Sequence, residues 1–168
     1  MNNPQPEIAD FILVRMGRPA GGFVRLLQKL NGSGFADYEH VALYAGAGLV
    51  EMSAGGIRLV NSDKYDNIKH RWSTGHIQLT GRQRYDIAAS AVRYLTAGIS
   101  YSWADYAALV LRRFHVPWPG LRAYIARTRS MICSQLLVRC YLDGGAPLYK
   151  RWTGYVTPGD LDKLLGPE

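Results

Sequence analysis

Phe11-Ile-Leu-Val14 is an unbroken apolar run, the length of a buried strand and too short for a helix. From Gly21 to Leu30 the positions Phe23, Leu26, Leu27 and Leu30 recur at helical spacing until Asn31-Gly32 stops them. His40-Val-Ala-Leu-Tyr44 and Leu49-Val-Glu-Met-Ser53 flank Gly46-Ala47-Gly48, a pattern that predicts a β-hairpin. Gly55-Gly56 marks a second turn into a strand at Ile57–Val60, and His76-Ile-Gln-Leu79 predicts one more strand. The period then becomes helical. Ile87, Ala88, Ala91, Val92 and Leu95 trace one face of a helix over Gln83–Leu95. A second helix is predicted over Ser102–Phe114, ended by Pro117 and Pro119. A third runs over Cys133–Leu142, with Leu136, Leu137, Cys140 and Tyr141 inward and Gly144-Gly145 after it. Thr157-Pro-Gly-Asp-Leu opens a short last helix. No repeat and no linker divides the chain. The pattern predicts one α+β domain over residues 1–168, a small antiparallel sheet packed against helices.

Composition narrows the class. With 168 residues, 48% apolar and 20% charged, the chain has enough material for a core and does not read as disordered. No apolar run approaches the ~18 residues of a membrane span. Met1 to Asp10 is polar and carries two prolines, so no ordinary secretory signal is expected. The expected location is cytoplasmic as encoded, with a phage-encoded protein or release by another route as alternatives. The net charge of +7 suits an anionic envelope polymer or a lipid surface as partner. Nucleic acid is not expected, because no recognition motif accompanies the basic residues.

Cys133 and Cys140 are the two cysteines. Two helical turns separate them by ~10 Å, beyond the ~7 Å that a disulfide spans, so both thiols should be free. No paired ligands at metal-binding spacing occur, and neither metal nor cofactor is expected. Cys140 falls among core residues. Cys133 begins its helix after the basic stretch Arg127-Thr-Arg-Ser130, where unpaired N–H groups and the helix dipole favour a thiolate. A small buried apolar residue is the alternative reading.

A nucleophilic cysteine needs a base. His40 opens the first hairpin strand. If Gly46-Ala47 forms a two-residue turn, Glu51 lies opposite Ala42 and shares the face of His40. A three-residue turn would put Glu51 on the other face. His70, His76 and His115 have no such arrangement and read as surface or structural histidines.

Glu39-His40-Val-Ala-Leu-Tyr-Ala-Gly, Leu49-Val-Glu51, Gly55-Gly-Ile and Cys133-Ser-Gln-Leu-Leu-Val-Arg-Cys-Tyr together resemble the permuted branch of the papain-like NlpC hydrolases. Relatives of that branch include the lecithin retinol acyltransferase-like enzymes. Asp10-Phe-Ile-Leu-Val, Gly98-Ile-Ser-Tyr101-Ser-Trp103 and Thr157-Pro-Gly-Asp-Leu extend the match over nearly the whole chain. The resemblance implies a circularly permuted papain-like fold, with Cys133 as nucleophile, His40 as base and Glu51 as the group that orients it. It further implies a cysteine peptidase or amidase that cleaves a peptide or acyl-amide bond through an acyl-enzyme, with cell-wall peptides as one substrate class. A lipid acyltransferase or thioesterase is the alternative within that fold, and an idle binding or structural module the alternative outside enzymes. The family's Tyr-Asp-Trp-like segment stands here as Tyr101-Ser-Trp103, and Gln135 replaces a frequent Glu. Tyr101 and Trp103 lie beside the nucleophile by the same resemblance. Side chains two apart at a helix start do not share one core face, so one of them is expected to face substrate. Core packing of both rings is the alternative.

Overall fold

The structure, a computed structural model, describes residues 5–17, 37–53, 55–101, 130–150 and 156–167. The predicted helices over Gly21–Leu30 and Ser102–Phe114 lie outside these residues, as do Trp103 and His115.

A five-stranded antiparallel sheet forms the centre. Its strands are β1 (Phe11–Val14), β2 (His40–Tyr44), β3 (Leu49–Ser53), β4 (Gly56–Val60) and β5 (His70–Trp72), in the spatial order β4-β3-β2-β1-β5. Among the described residues three helices accompany it: α1 (Gly81–Thr96), α2 (Cys133–Asp143) and α3 (Pro158–Leu165). The α+β reading of the sequence therefore holds. Among the described residues no helix is long and apolar enough to cross a membrane.

Alternation sorts the strands into two faces. Phe11, Leu13, Val41, Leu43, Val50 and Met52 join one core cluster with Ile87 and Ala91 of α1 and Leu136, Leu137, Cys140 and Tyr141 of α2. Ile12, Val14, Ala42 and Leu49 point the other way and pack with Tyr65. β1 is buried on both faces, which explains its unbroken apolar sequence.

The first hairpin has the two-residue turn. Ala45 N–H donates to Gly48 O at 2.9 Å, Gly46 sits at φ +88°, and Ala42 faces Glu51. Thr80 caps α1: its hydroxyl accepts from Gln83 N–H at 3.2 Å, while the Gln83 side chain accepts from Thr80 N–H at 3.0 Å. Thr157 and Asp160 make the same reciprocal cap for α3. Gly144, which ends α2, lets that helix approach α1 closely. A Cβ there would stand 2.3 Å from Ile87 Cγ1 and 2.8 Å from Ile87 N.

Two expectations are corrected. His76–Leu79 is not a strand: His76 N–H closes a turn on Ser73 O at 3.0 Å, with Gly75 at φ +78°. Ile77 and Leu79 pack on the core from an irregular segment. The fifth strand is His70–Trp72 instead, paired to β1 through Leu13 and Arg71. Arg71 is buried and bonds Asp162 Oδ1 at 2.8 Å, which ties α3 to the sheet edge. On α1, Val92 is 48% exposed, because the buried stripe runs through Ile87, Ala88 and Ala91.

Candidate active site

Residues 99–101 and 130–133 bring the helix-start cysteine back to the sheet. Ile57 N–H of β4 donates to Ile99 O at 3.1 Å. Beyond it the short strands β6 (Ser100–Tyr101) and β7 (Ser130–Met131) pair in parallel, with Tyr101 opposite Met131. Ile132 then caps α2, its N–H donating to Gln135 Oε1 at 3.0 Å. Ser134 is fully buried and donates to Val156 O at 2.5 Å, anchoring the first turn. Cys133 is thereby fixed at the first helical position, where backbone N–H groups lack intrahelical acceptors. It is partly exposed, whereas Cys140 is buried. Burial, with Asp143 nearby, pushes the Cys140 thiol up to about 12, the behaviour of an inert core cysteine.

His40 lies beside the Cys133 thiol on one hand and meets Glu51 on the other, where Nε2 lies 3.1 Å from Oε2. Its side chain is only 12% exposed. Burial disfavours the charged imidazolium, but the hydrogen bonds and charges of Cys133 and Glu51 outweigh it. The imidazole is pushed up to about 9.

Glu51 is fully buried and receives four side chains. Besides His40, Tyr65 OH donates to Oε2, Arg58 Nε donates to Oε1 at 2.7 Å, and Lys64 Nζ donates to Oε1 at 2.5 Å. Arg58 comes from directly across β3 and β4. Lys64 and Tyr65 come from the 3-10 turn Ser62–Tyr65. Burial works against ionisation of Glu51, yet His40, Lys64 and Tyr65 hold its carboxyl well below the usual carboxylate range. Burial and the neighbouring carboxylate raise the Tyr65 phenol above its ordinary range. The Tyr65 ring also packs edge-on to His40, with centroids 6.0 Å apart.

Cys133, His40 and Glu51 thus meet, from three separate elements. No family model, curated protein or solved structure matches this chain.

The remaining predicted residues stand differently. Tyr101 has its backbone in β6 rather than at a helix start, so the helix-spacing argument for its side chain does not apply. Its pairing with Met131 puts its backbone two residues from Cys133 in register. Trp103 lies outside the described residues. Gln135 is buried and contributes its oxygen to the cap of α2. His70 is a structural histidine: its Nδ1 meets Tyr65 O at 3.0 Å and Ile68 O at 2.9 Å. Among the described residues no group of three or more His, Cys, Asp or Glu can hold a metal ion.

Arg58, Lys64 and Tyr65 are the site residues that sequence reasoning misses. Arg58 had a signal: counting across the second glycine turn puts it opposite Glu51. Lys64 and Tyr65 had none, because a 3-10 turn carries no hydrophobic period.

Proposed function

We propose that this chain is a cysteine hydrolase acting on an amide carbonyl, with a permuted papain-like arrangement in which the histidine strand precedes the cysteine helix. The observation that carries this reading is the chain of contacts from Cys133 through His40 to Glu51, with the thiol at a helix start and partly open to solvent. With Nε2 held by Glu51, Nδ1 is the nitrogen that exchanges a proton with the thiol. The Cys133 thiolate attacks the carbonyl carbon and a C–S bond forms. The oxyanion is met by N–H groups at the start of α2. As the intermediate collapses the C–N bond breaks, and the His40 imidazolium gives its proton to the leaving amine. Neutral His40 then takes a proton from water, which attacks the thioester and returns the free thiol.

Peptides or acyl amides are the proposed substrates, with Tyr101 and Trp103 as candidate substrate contacts. The net charge of +7 favours substrates carried on an anionic polymer or a lipid surface. The test is to incubate the protein with activated acyl amides and esters of peptide and fatty-acyl type and weigh it intact. An acyl adduct on Cys133, absent in Cys133→Ser, supports the reading, and the acyl group accepted separates peptidase from lipid acyltransferase. An unmodified protein across both series, with Cys133 inert to alkylation, marks an idle module and overturns it.

A further inference from the structure

Glu51 makes more contacts than the orientation of one imidazole requires. Its Oε1 is taken by two cations, Arg58 and Lys64, and its Oε2 by His40 and Tyr65. We propose that Arg58 and Lys64 are positioning residues that share the charge of Glu51 with His40, and so set the pH range over which Cys133 and His40 exist as thiolate and imidazolium. This rests on the hydrolase reading above.

The charge count gives the reason. A carboxylate paired with a protonated imidazole alone would be neutral overall. Here protonated His40, Arg58 and Lys64 set three positive groups against one negative. The surplus disfavours the proton on His40. Without it, the buried carboxylate would grip the imidazolium so firmly that His40 would be a weak acid toward a leaving amine. Glu51 is fully buried, while the Lys64 side chain is 29% and the Arg58 side chain 52% exposed. Both cations are therefore open to substitution at modest cost to the core.

Among the described residues, the other groups around this pair have these partners. Tyr65 adds a neutral donor on Oε2, and Lys64 Nζ also lies 4.8 Å from the centre of the Tyr65 ring. His70 shares a cross-strand row with His40 through Val14, but its Nδ1 turns to Tyr65 O and Ile68 O. Glu39, next to His40 in sequence, accepts from Met16 N–H at 2.5 Å. Cys133 approaches from α2.

The test compares the wild type with Lys64→Met and Arg58→Met, and with the charge-retaining Lys64→Arg and Arg58→Lys. Two readouts are taken: the low-pH midpoint of iodoacetamide alkylation at Cys133, with Cys140 as internal reference, and the titration of the His40 ring by NMR. These midpoints belong to the coupled pair rather than to either residue. Loss of either cation is expected to move both midpoints upward by roughly half to one pH unit, and the charge-retaining variants are expected to stay near the wild type. Either position alone suffices if the Met variant at the other does not fold. Unmoved midpoints in folded Met variants, with only the melting temperature lowered, would reduce the two cations to scaffold and overturn the proposal while leaving the hydrolase reading intact. A wild-type Cys133 that alkylates no faster than Cys140 overturns both.

Discussion

His40 Nε2 lies 3.1 Å from Glu51 Oε2, although the two residues are 11 apart in sequence and on different strands. The two-residue turn at Gly46-Ala47 makes this contact. One further residue in that turn would rotate Glu51 to the helix-covered face of the sheet and leave His40 without its carboxylate.

Glu51→Gln keeps the shape of the side chain and removes its charge. Hydrolysis of an activated ester is expected to fall about 100-fold, the usual range for loss of acid–base support. Glu51→Ala is expected to cost about 2 kcal/mol of stability as well, because the buried Tyr65 hydroxyl loses its acceptor. Steady-state kinetics and urea unfolding of the two variants check both statements.

The imidazole of His40 is raised from the usual 6.5 to about 9 in the folded protein. The stability it contributes is therefore fully present below pH 6.5 and is lost as pH rises through 9. Over that interval the wild type is expected to lose more in melting temperature than His40→Asn, and its turnover is expected to fall on the alkaline side of 9. Equal losses in the two proteins would show that the imidazolium is not held by its partners.

Gly144→Ala is expected to destabilise by about 1–3 kcal/mol, because the added methyl meets Ile87 backbone as well as its flexible end. Activity per folded molecule should be retained, since the contact lies at the far end of α2 from Cys133. Urea midpoints and titration of reactive Cys133 thiol measure the two effects separately.

The register of the first hairpin, the doubly buried β1 and the stripes of α1 and α2 were legible because period and turn chemistry agree there with the final packing. That agreement also made the alignment of His40 with Glu51 legible. β5 was not, because Arg71 at its centre reads as polar until Asp162 of α3 is in place, more than ninety residues later. The apolar Ile77 and Leu79 drew the strand prediction in its stead, yet they serve the core from a turn. Lys64 escaped because a carboxylate's partners are chosen by tertiary contact rather than by local pattern.

The most direct measurement is the relative rate at which iodoacetamide modifies Cys133 and Cys140 near pH 6, read by peptide mapping of the intact, folded protein. Cys133 is expected to be modified far faster, Cys140 to stay unmodified until the protein unfolds, and His40→Asn to slow the Cys133 reaction. Two slow and equivalent thiols, unaffected by His40→Asn, would show that Cys133 is not an activated nucleophile.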